Sequence, residues 1–365
     1  MGKLKSPLPT KYRFRYEQIL NIMALSGEVP TNLYKYIDIT DDTYRRAISD
    51  LRKKGYIQTN SGNSLRGYVL TKEGKNYLCE SGELSLRPED IAVKSTDIQK
   101  RRRSQYFAAL YATFDKLNIR YEPANKPTRA EHSKASNEII FYAANEYKNE
   151  LQERGATFKG SRTQGILVGK NTVFPIYVTN KQLIEFNKAE FGLVNQLSKD
   201  YFNGGEINNA IIFCPDTGAT GEILNSLMHF EEIGKGVNIL RTSYFKDVFI
   251  IPMDEHLQTS FQTLYNDKRI REVLTKQLNI NTKNTYYQCD GYLNDNESVL
   301  FMLTLTAAKL KTFLSINKRK NTKGHIICYD FMAPIIKSQI SKGNNVTIKT
   351  IKAENGMLLS NQNTL

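Results

Sequence analysis

Tyr16, Ile19, Leu20 and Met23 recur at the spacing of one helical face, and Gly27 follows as a stop signal, so this stretch predicts a helix. A short helix is expected next, from Asn32 to Ile37. Thr40 then offers an N-cap, and Asp41 and Asp42 bring carboxylates to a first turn, where the helix dipole favours them. The helix that follows runs from Thr43 to Gly55 and carries Tyr44, Ala47, Ile48 and Leu51 as one apolar stripe. Past Gly55 the pattern changes to that of a hairpin: Tyr56-Ile-Gln-Thr, a turn of Asn60-Ser-Gly-Asn-Ser, then Arg66-Gly-Tyr-Val-Leu-Thr. A further helix starts near Lys72 and carries Tyr77 and Leu78.

Gly82 to Lys94 mixes Gly, Ser, Pro and acidic residues and reads as a linker. Helical periodicity returns from Asp97 to Leu117, through Ile98, Tyr106, Leu110, Phe114 and Leu117, and Pro123 to Ser136 reads as a loop. From about residue 137, short apolar runs alternate with helical stretches, the pattern of an α/β domain. Strands are expected at Glu138–Tyr142, Ala210–Cys214, Val248–Ile251, Ser298–Leu303, His325–Tyr329 and Val346–Ile351, and a hairpin at Gly165–Val168 and Val173–Val178. Helices are expected at Ala144–Glu153, Leu183–Phe202, Thr259–Leu264, Arg269–Leu278, Ala307–Ser315 and Met332–Ser341. The organisation predicted is a first domain over 1–94, a connector helix and loop over 95–136, and an α/β domain over 137–365.

Length supports that division, since 365 residues exceed one typical domain. Charge sharpens it. The chain holds 51 Lys and Arg against 37 Asp and Glu, a formal net charge of +14. Residues 1–134 carry 25 cations against 15 anions, while 135–365 carry 26 against 22, so the basic character belongs to the first third. A polyanionic partner follows, nucleic acid before a membrane surface. The longest apolar run, Val299 to Ala308, holds two threonines and is half the roughly twenty residues a membrane-spanning helix needs. The N-terminus has no apolar core or cleavage site of a signal peptide. Cys79, Cys214, Cys289 and Cys328 lie far apart without a C-x-x-C pair, as do the four histidines, so neither disulfides nor a zinc site is expected. The expected protein is soluble and cytoplasmic, with no membrane partner and no cofactor.

On the helix from Thr43 to Gly55, the surface outside the apolar stripe presents Thr43, Arg45, Arg46, Ser49, Arg52 and Lys53. A helix fits the major groove of double-stranded DNA, where Arg makes bidentate contacts to guanine. In the hairpin, Asn60, Asn63, Ser64 and Arg66 would meet phosphates or the neighbouring minor groove. Lys100, Arg101, Arg102 and Arg103 would grip phosphates beside it. For both helices a merely solvated face is the alternative. The order helix, helix, basic helix, hairpin, helix is that of a winged helix-turn-helix. Asp42–Ile57 followed by Gly67-Tyr-Val-Leu-Thr-Lys-Glu-Gly resembles the recognition helix and wing of bacterial winged-helix proteins.

With Tyr142-Ala-Ala-Asn-Glu-Tyr-Lys, Gly160-Ser-Arg-Thr-Gln-Gly-Ile-Leu and Val173-Phe-Pro-Ile-Tyr-Val added, the chain resembles the replication-relaxation type of protein found on plasmids and integrative conjugative elements of Gram-positive bacteria. That resemblance implies DNA binding at an origin of transfer or replication, with a nuclease-like α/β domain. The fold class expected is therefore α+β and α/β: a winged helix-turn-helix, then a mixed α/β domain with a degenerate restriction-endonuclease-like core. Such a core needs an acidic residue on one hairpin strand and Glu-x-Lys on the next, to hold Mg²⁺ beside a cationic base. Gln164-Gly165 and Ile176-Tyr177-Val178 stand in those places and supply no metal ligand. The Glu146/Lys148 pair leaves a rearranged site open.

Other chemistry finds less. There is no H-x-H for a relaxase metal, no H-x-x-R for a tyrosine recombinase, and Gly165-Ile-Leu-Val-Gly-Lys-Asn lacks the spacing and final Ser or Thr of a P-loop. Asp216-Thr-Gly matches the aspartic-protease tripeptide but sits in a strand-to-helix loop, where its amides would bind an anion or simply turn the chain. Arg162 would clamp a phosphate or carboxylate, or pair with a strand neighbour. The function expected is a non-catalytic, sequence-selective DNA-binding protein of a mobile element, acting in conjugation, DNA replication or transcription regulation. Its α/β domain would form a homodimer or recruit relaxase or replication proteins. The alternatives are a divergent Mg²⁺-dependent nuclease using Glu138, Glu146 or Lys148, and a ligand-responsive transcription regulator.

Overall fold

A computed structural model of the chain describes residues 13–62, 64–80, 91–123, 126–127, 138–146, 161–169, 172–179, 188–202, 207, 209–229, 245–283, 285, 289–294, 297–341 and 343–352. The structure mixes helices with several sheets. It divides into two compact units, residues 1–143 with 168–171, and residues 144–167 with 172–365. The helix expected as a connector thus lies within the first unit, and the expected border at 94 falls inside it.

The first unit holds α1 (Arg13–Ser26), β1 (Val29–Pro30), a 3-10 turn at Leu33–Lys35, α2 (Asp41–Lys53), β2 (Ile57–Gly62), β3 (Leu65–Leu70), α3 (Lys72–Glu80), α4 (Ile98–Lys116) and β4 (Ile140–Ala143). Three strands pair antiparallel in the order β1-β3-β2, with Val29 opposite Tyr68 and Ile57 opposite Leu70. Tyr16, Ile19, Leu20 and Met23 of α1 and Tyr44, Ala47, Ile48 and Leu51 of α2 are buried, as are Val69, Leu70 and Leu78. Removing this apolar surface from water drives the unit together. α1 stops where Gly27, at φ +85°, turns the chain and donates its N–H to the Met23 carbonyl at 2.9 Å.

α4 closes the unit on α1. Gln18 Nε2 donates to Asp115 Oδ2 at 2.8 Å, the Asn21 amide donates to the Glu122 carboxylate, and the Ala92 N–H donates to the Ala24 carbonyl at 2.7 Å. Phe114 of α4 packs on Phe141 of β4, their rings 4.7 Å apart. Burial pushes the Asp115 carboxyl above its ordinary value, and hydrogen bonds from Gln18 and Tyr121 oppose that shift.

The second unit contains the first three residues of β5 (Gly165–Gly169), then β6 (Thr172–Val178), α5 (Lys188–Phe202), β7 (Asn209–Cys214), α6 (Thr217–Met228), β8 (Asp247–Pro252), α7 (Leu257–Gln277), β9 (Gly291–Asn294), β10 (Glu297–Met302), β11 (Leu305–Thr306), α8 (Ala307–Lys320), β12 (Gly324–Tyr329), α9 (Ala333–Ser338) and β13 (Val346–Ile351). One sheet runs β11-β8-β7-β6-β5, with β6, β7 and β8 parallel and β11 antiparallel to β8. The other runs β13-β12-β10-β9, parallel except for β9. β8 and β12 are buried along their whole length, and their apolar runs Val248–Ile251 and Ile326–Tyr329 suit strands covered on both faces.

Two departures from the sequence expectation have plain causes. A single helix, α7, replaces the two expected at 259–264 and 269–278. The polar Asn266-Asp-Lys stretch is accommodated inside it, with Asn266 Nδ2 on the Gln262 carbonyl at 2.9 Å and Asp267 on Arg271 Nε at 2.5 Å. β9 and β11 are four and two residues long, too short to carry a period. Residues 144–146 are helical, and the rest of the helix expected there lies outside the described residues.

Candidate nucleic-acid interface

α2 is fixed at both ends by its own sequence. Thr40, extended at its backbone, accepts the Thr43 N–H on its side-chain oxygen at 3.3 Å, and Asp41 and Asp42 fill the first turn. Arg52 and Lys53 stand in the last turn, where the dipole favours cations. The buried stripe also anchors the helix by polar contacts, since the Tyr44 hydroxyl donates to the Pro30 carbonyl at 3.1 Å. Burial raises the Tyr44 phenol far above its ordinary value, so it stays a donor. Tyr16 of α1 donates to Asp50 at 2.8 Å.

With that face occupied, Arg45, Arg46, Ser49, Arg52 and Lys53 are exposed, and Thr43 is half-buried against Thr40. Arg45 pairs with Asp41 one turn back at 2.7 Å, a contact whose hydrogen bond raises the guanidinium pKa further. Such exposed pairs hold little free energy and break readily for a stronger partner.

The hairpin lies next along the chain. Ser64 adopts a left-handed φ of +62° at its tip and is exposed, as is Arg66. Asn63 lies outside the described residues. Asn60 is turned inward instead, donating from Nδ2 to Glu28 Oε2 at 2.8 Å, so it is withdrawn from the set expected to meet DNA. Two glycines of the Gly67–Gly74 segment are required by close approach. A Cβ at Gly74 would collide with the Tyr56 carbonyl, and one at Gly67 would lie 2.5 Å from Glu28 Oε1 and 2.7 Å from the Val29 carbonyl oxygen.

α4 begins at Asp97, whose side chain accepts the Lys100 N–H at 2.8 Å. Lys100, Arg102 and Arg103 are exposed. Arg101 is not, and it too is withdrawn from the DNA-binding set. Its side chain is 4% exposed and forms a two-pronged pair with Glu28, itself 3% exposed: Nε to Oε2 at 2.8 Å and Nη2 to Oε1 at 2.8 Å. The remaining donors go to backbone carbonyls of the hairpin, Asn60 at 2.8 Å, Leu65 at 3.2 Å and Gly62 at 3.3 Å. The hydrogen bond to Glu28 raises the Arg101 pKa, against the effect of burial. Gln105, one turn on, donates to Glu28 Oε1 at 2.7 Å and to the Arg66 carbonyl at 3.1 Å. Glu28 thereby accepts from Asn60, Gln105 and twice from Arg101, which fills its acceptor sites.

Sequence reasoning passed over Glu28 and Gln105. The available signal was a helical face: 101, 105, 108 and 112 share it, and Ala108 and Ala112 are buried. A search for large apolar side chains misses a stripe made of alanines.

The other positions singled out in the sequence fall elsewhere. Arg162 is exposed, while its backbone N–H and the Ser161 hydroxyl both donate to Glu190, a fully buried carboxylate that also accepts from the Tyr177 hydroxyl at 3.0 Å. Gln164 accepts the Val178 N–H at 3.2 Å. Asp216 caps α6 through the Ala219 N–H at 2.8 Å, and Asp254 accepts from the Thr217 N–H at 2.7 Å and its hydroxyl at 2.5 Å, so this loop is tied as a turn. Glu138 is exposed beside Arg120 at 3.1 Å, Glu146 is half-buried, and Lys148 lies outside the described residues. Cys79 is exposed and Cys214, Cys289 and Cys328 are buried, all four as free thiols; burial pushes Cys214 up to about 12. Among the described residues no group of three or more His, Cys, Asp or Glu is placed to hold a metal ion, and no helix is long and apolar enough to cross a membrane. No protein-family model matches the chain, and no curated protein and no solved structure matches it.

Proposed function

We propose that the first unit is a winged helix-turn-helix that binds double-stranded DNA, with α2 in the major groove and the β2–β3 hairpin as the wing. One observation carries this reading. α2 has one face wholly committed to the core, while Arg45, Arg46, Ser49, Arg52 and Lys53 are all exposed, and the basic excess of the chain lies in the same third. Arg45 and Arg46 supply the forks that read guanine, and Lys53, Ser64, Arg66, Lys100, Arg102 and Arg103 the contacts to phosphate. The resemblance to replication-relaxation proteins supports a site on a plasmid or conjugative element as the target. The protein then acts there as a non-catalytic accessory factor, with its second unit dimerising or engaging transfer or replication proteins.

The test is selection of duplexes from a randomised pool by the purified full-length chain, followed by salt titration of the selected and a random duplex. A shared motif, with tighter binding than the random duplex at every salt concentration, is expected. Equal affinity for both would remove sequence selectivity, and Mg²⁺-dependent cleavage of the selected duplex would put a nuclease in its place.

A further inference from the structure

We infer that Glu28, Arg101 and Gln105 are positioning residues for DNA binding: together they hold the hairpin at a fixed height relative to α2, so that it meets the duplex as a rigid wing. The inference rests on the DNA-binding reading for its purpose and on the geometry for its mechanism. A two-stranded hairpin is marginal by itself in water and needs a third element to hold its shape. Here the third strand, β1, spans only Val29–Pro30, and pairs with β3 at Tyr68 and Gly67, midway along the hairpin opposite Thr59 and Asn60. From that level to the turn, the hairpin is also held by α4. Arg101 donates to the carbonyls of Asn60, Gly62 and Leu65, and Gln105 to that of Arg66, so four carbonyls on both arms next to the turn are tied to one helix. Glu28 stands just before β1 and is the common acceptor that fixes both donors. The planar guanidinium is suited to this because its donors lie in a fixed fork, which a lysine cannot reproduce.

Gly67 belongs to the same device. A side chain there would strike Glu28 Oε1 and Gln105 Nε2, at 2.5 and 2.7 Å from its Cβ, so the strand can approach the network only without one. The flanking exposed cations Lys100, Arg102 and Arg103 are carried beside the wing by the same helix.

The test uses the full-length chain, with Arg101→Lys as the main variant and Gln105→Met as a second that leaves the buried ion pair intact. Hydrogen exchange is read first, without DNA. Amides of Ser61 to Arg66 should exchange about tenfold faster in Arg101→Lys while those of α2 hold their protection. Unchanged hairpin protection in both variants overturns the inference whether or not DNA binds. Affinity for the selected duplex is read second. Arg66→Ala should weaken binding severalfold in the wild-type background and less than about twofold in either positioning variant, while Arg46→Ala costs the same in all backgrounds. Purely additive effects of Arg66 and Arg101 overturn the positioning role. A wild-type chain that binds no duplex overturns the DNA reading alone, since the exchange measurement still decides the mechanics.

Discussion

α2 and α4 each carry at least four cations, and they use them in opposite ways. In α2 the cations stand outside a stripe of Tyr44, Ala47, Ile48 and Leu51, so none of them is needed by the core. In α4 one cation of four consecutive ones lies on the buried face and is consumed by Glu28 and the hairpin. The difference comes from what each helix lies against. α2 covers apolar side chains, whereas the first turns of α4 cover backbone carbonyls, which must find donors when water is removed. A run of like charges is thus one thing in sequence and two in structure, surface potential and internal hydrogen bonding.

The sharpest way to break the comparison is to remove the buried cation. Arg101→Ala leaves the buried Glu28 carboxylate without its cation and takes the Arg101 donor from three carbonyls, and should destabilise the first unit by about 3–5 kcal/mol in urea unfolding. A loss below about 1 kcal/mol would return Arg101 to the surface set. Arg45→Ala and Arg46→Ala should do the reverse, leaving the urea midpoint nearly unchanged while each weakens binding of the selected duplex by about 5- to 100-fold in gel shifts.

Replacing Lys100, Arg102 and Arg103 with Gln, but sparing Arg101, should flatten the plot of log K against log salt by about 0.9 for each phosphate no longer neutralised. Selected and random duplexes should weaken alike, because these contacts carry no base information; a change confined to the selected duplex would assign them to base reading. The smallest effect belongs to the exposed pair on α2. Asp41→Asn should lower the urea midpoint by no more than about 0.3 M, at constant slope.

Legibility followed the same division. Capping of α2 by Thr40, its stripe, the hairpin and its turn all follow from local pattern, because each depends on neighbours a few residues away. The parallel strands of the second unit were readable as apolar runs for the same reason. The inward turn of Arg101 and Asn60 was not, since both partner Glu28 across 73 and 32 residues and no local period records that. Nor was the place of α4 in the first unit, which depends on bonds to α1 from far along the chain. Gly67 and Gly74 were visible as glycines in a motif, but the atoms that exclude a side chain there belong to Glu28, Val29 and Tyr56.

Those long separations set a schedule for synthesis. Gln18 and Asn21 find their partners 97 and 101 residues later, and Glu28 waits 73 residues for Arg101. At translation rates of about 5–20 residues per second, α1 remains unclosed for roughly 5–20 s after it is made. During that interval a nascent chain carries α2 and the hairpin with the Glu28 carboxylate still in water and the hairpin carbonyls unclaimed. High contact order of this kind slows closure of a small unit, and it makes the arrival of α4 the event that completes the first third of the protein.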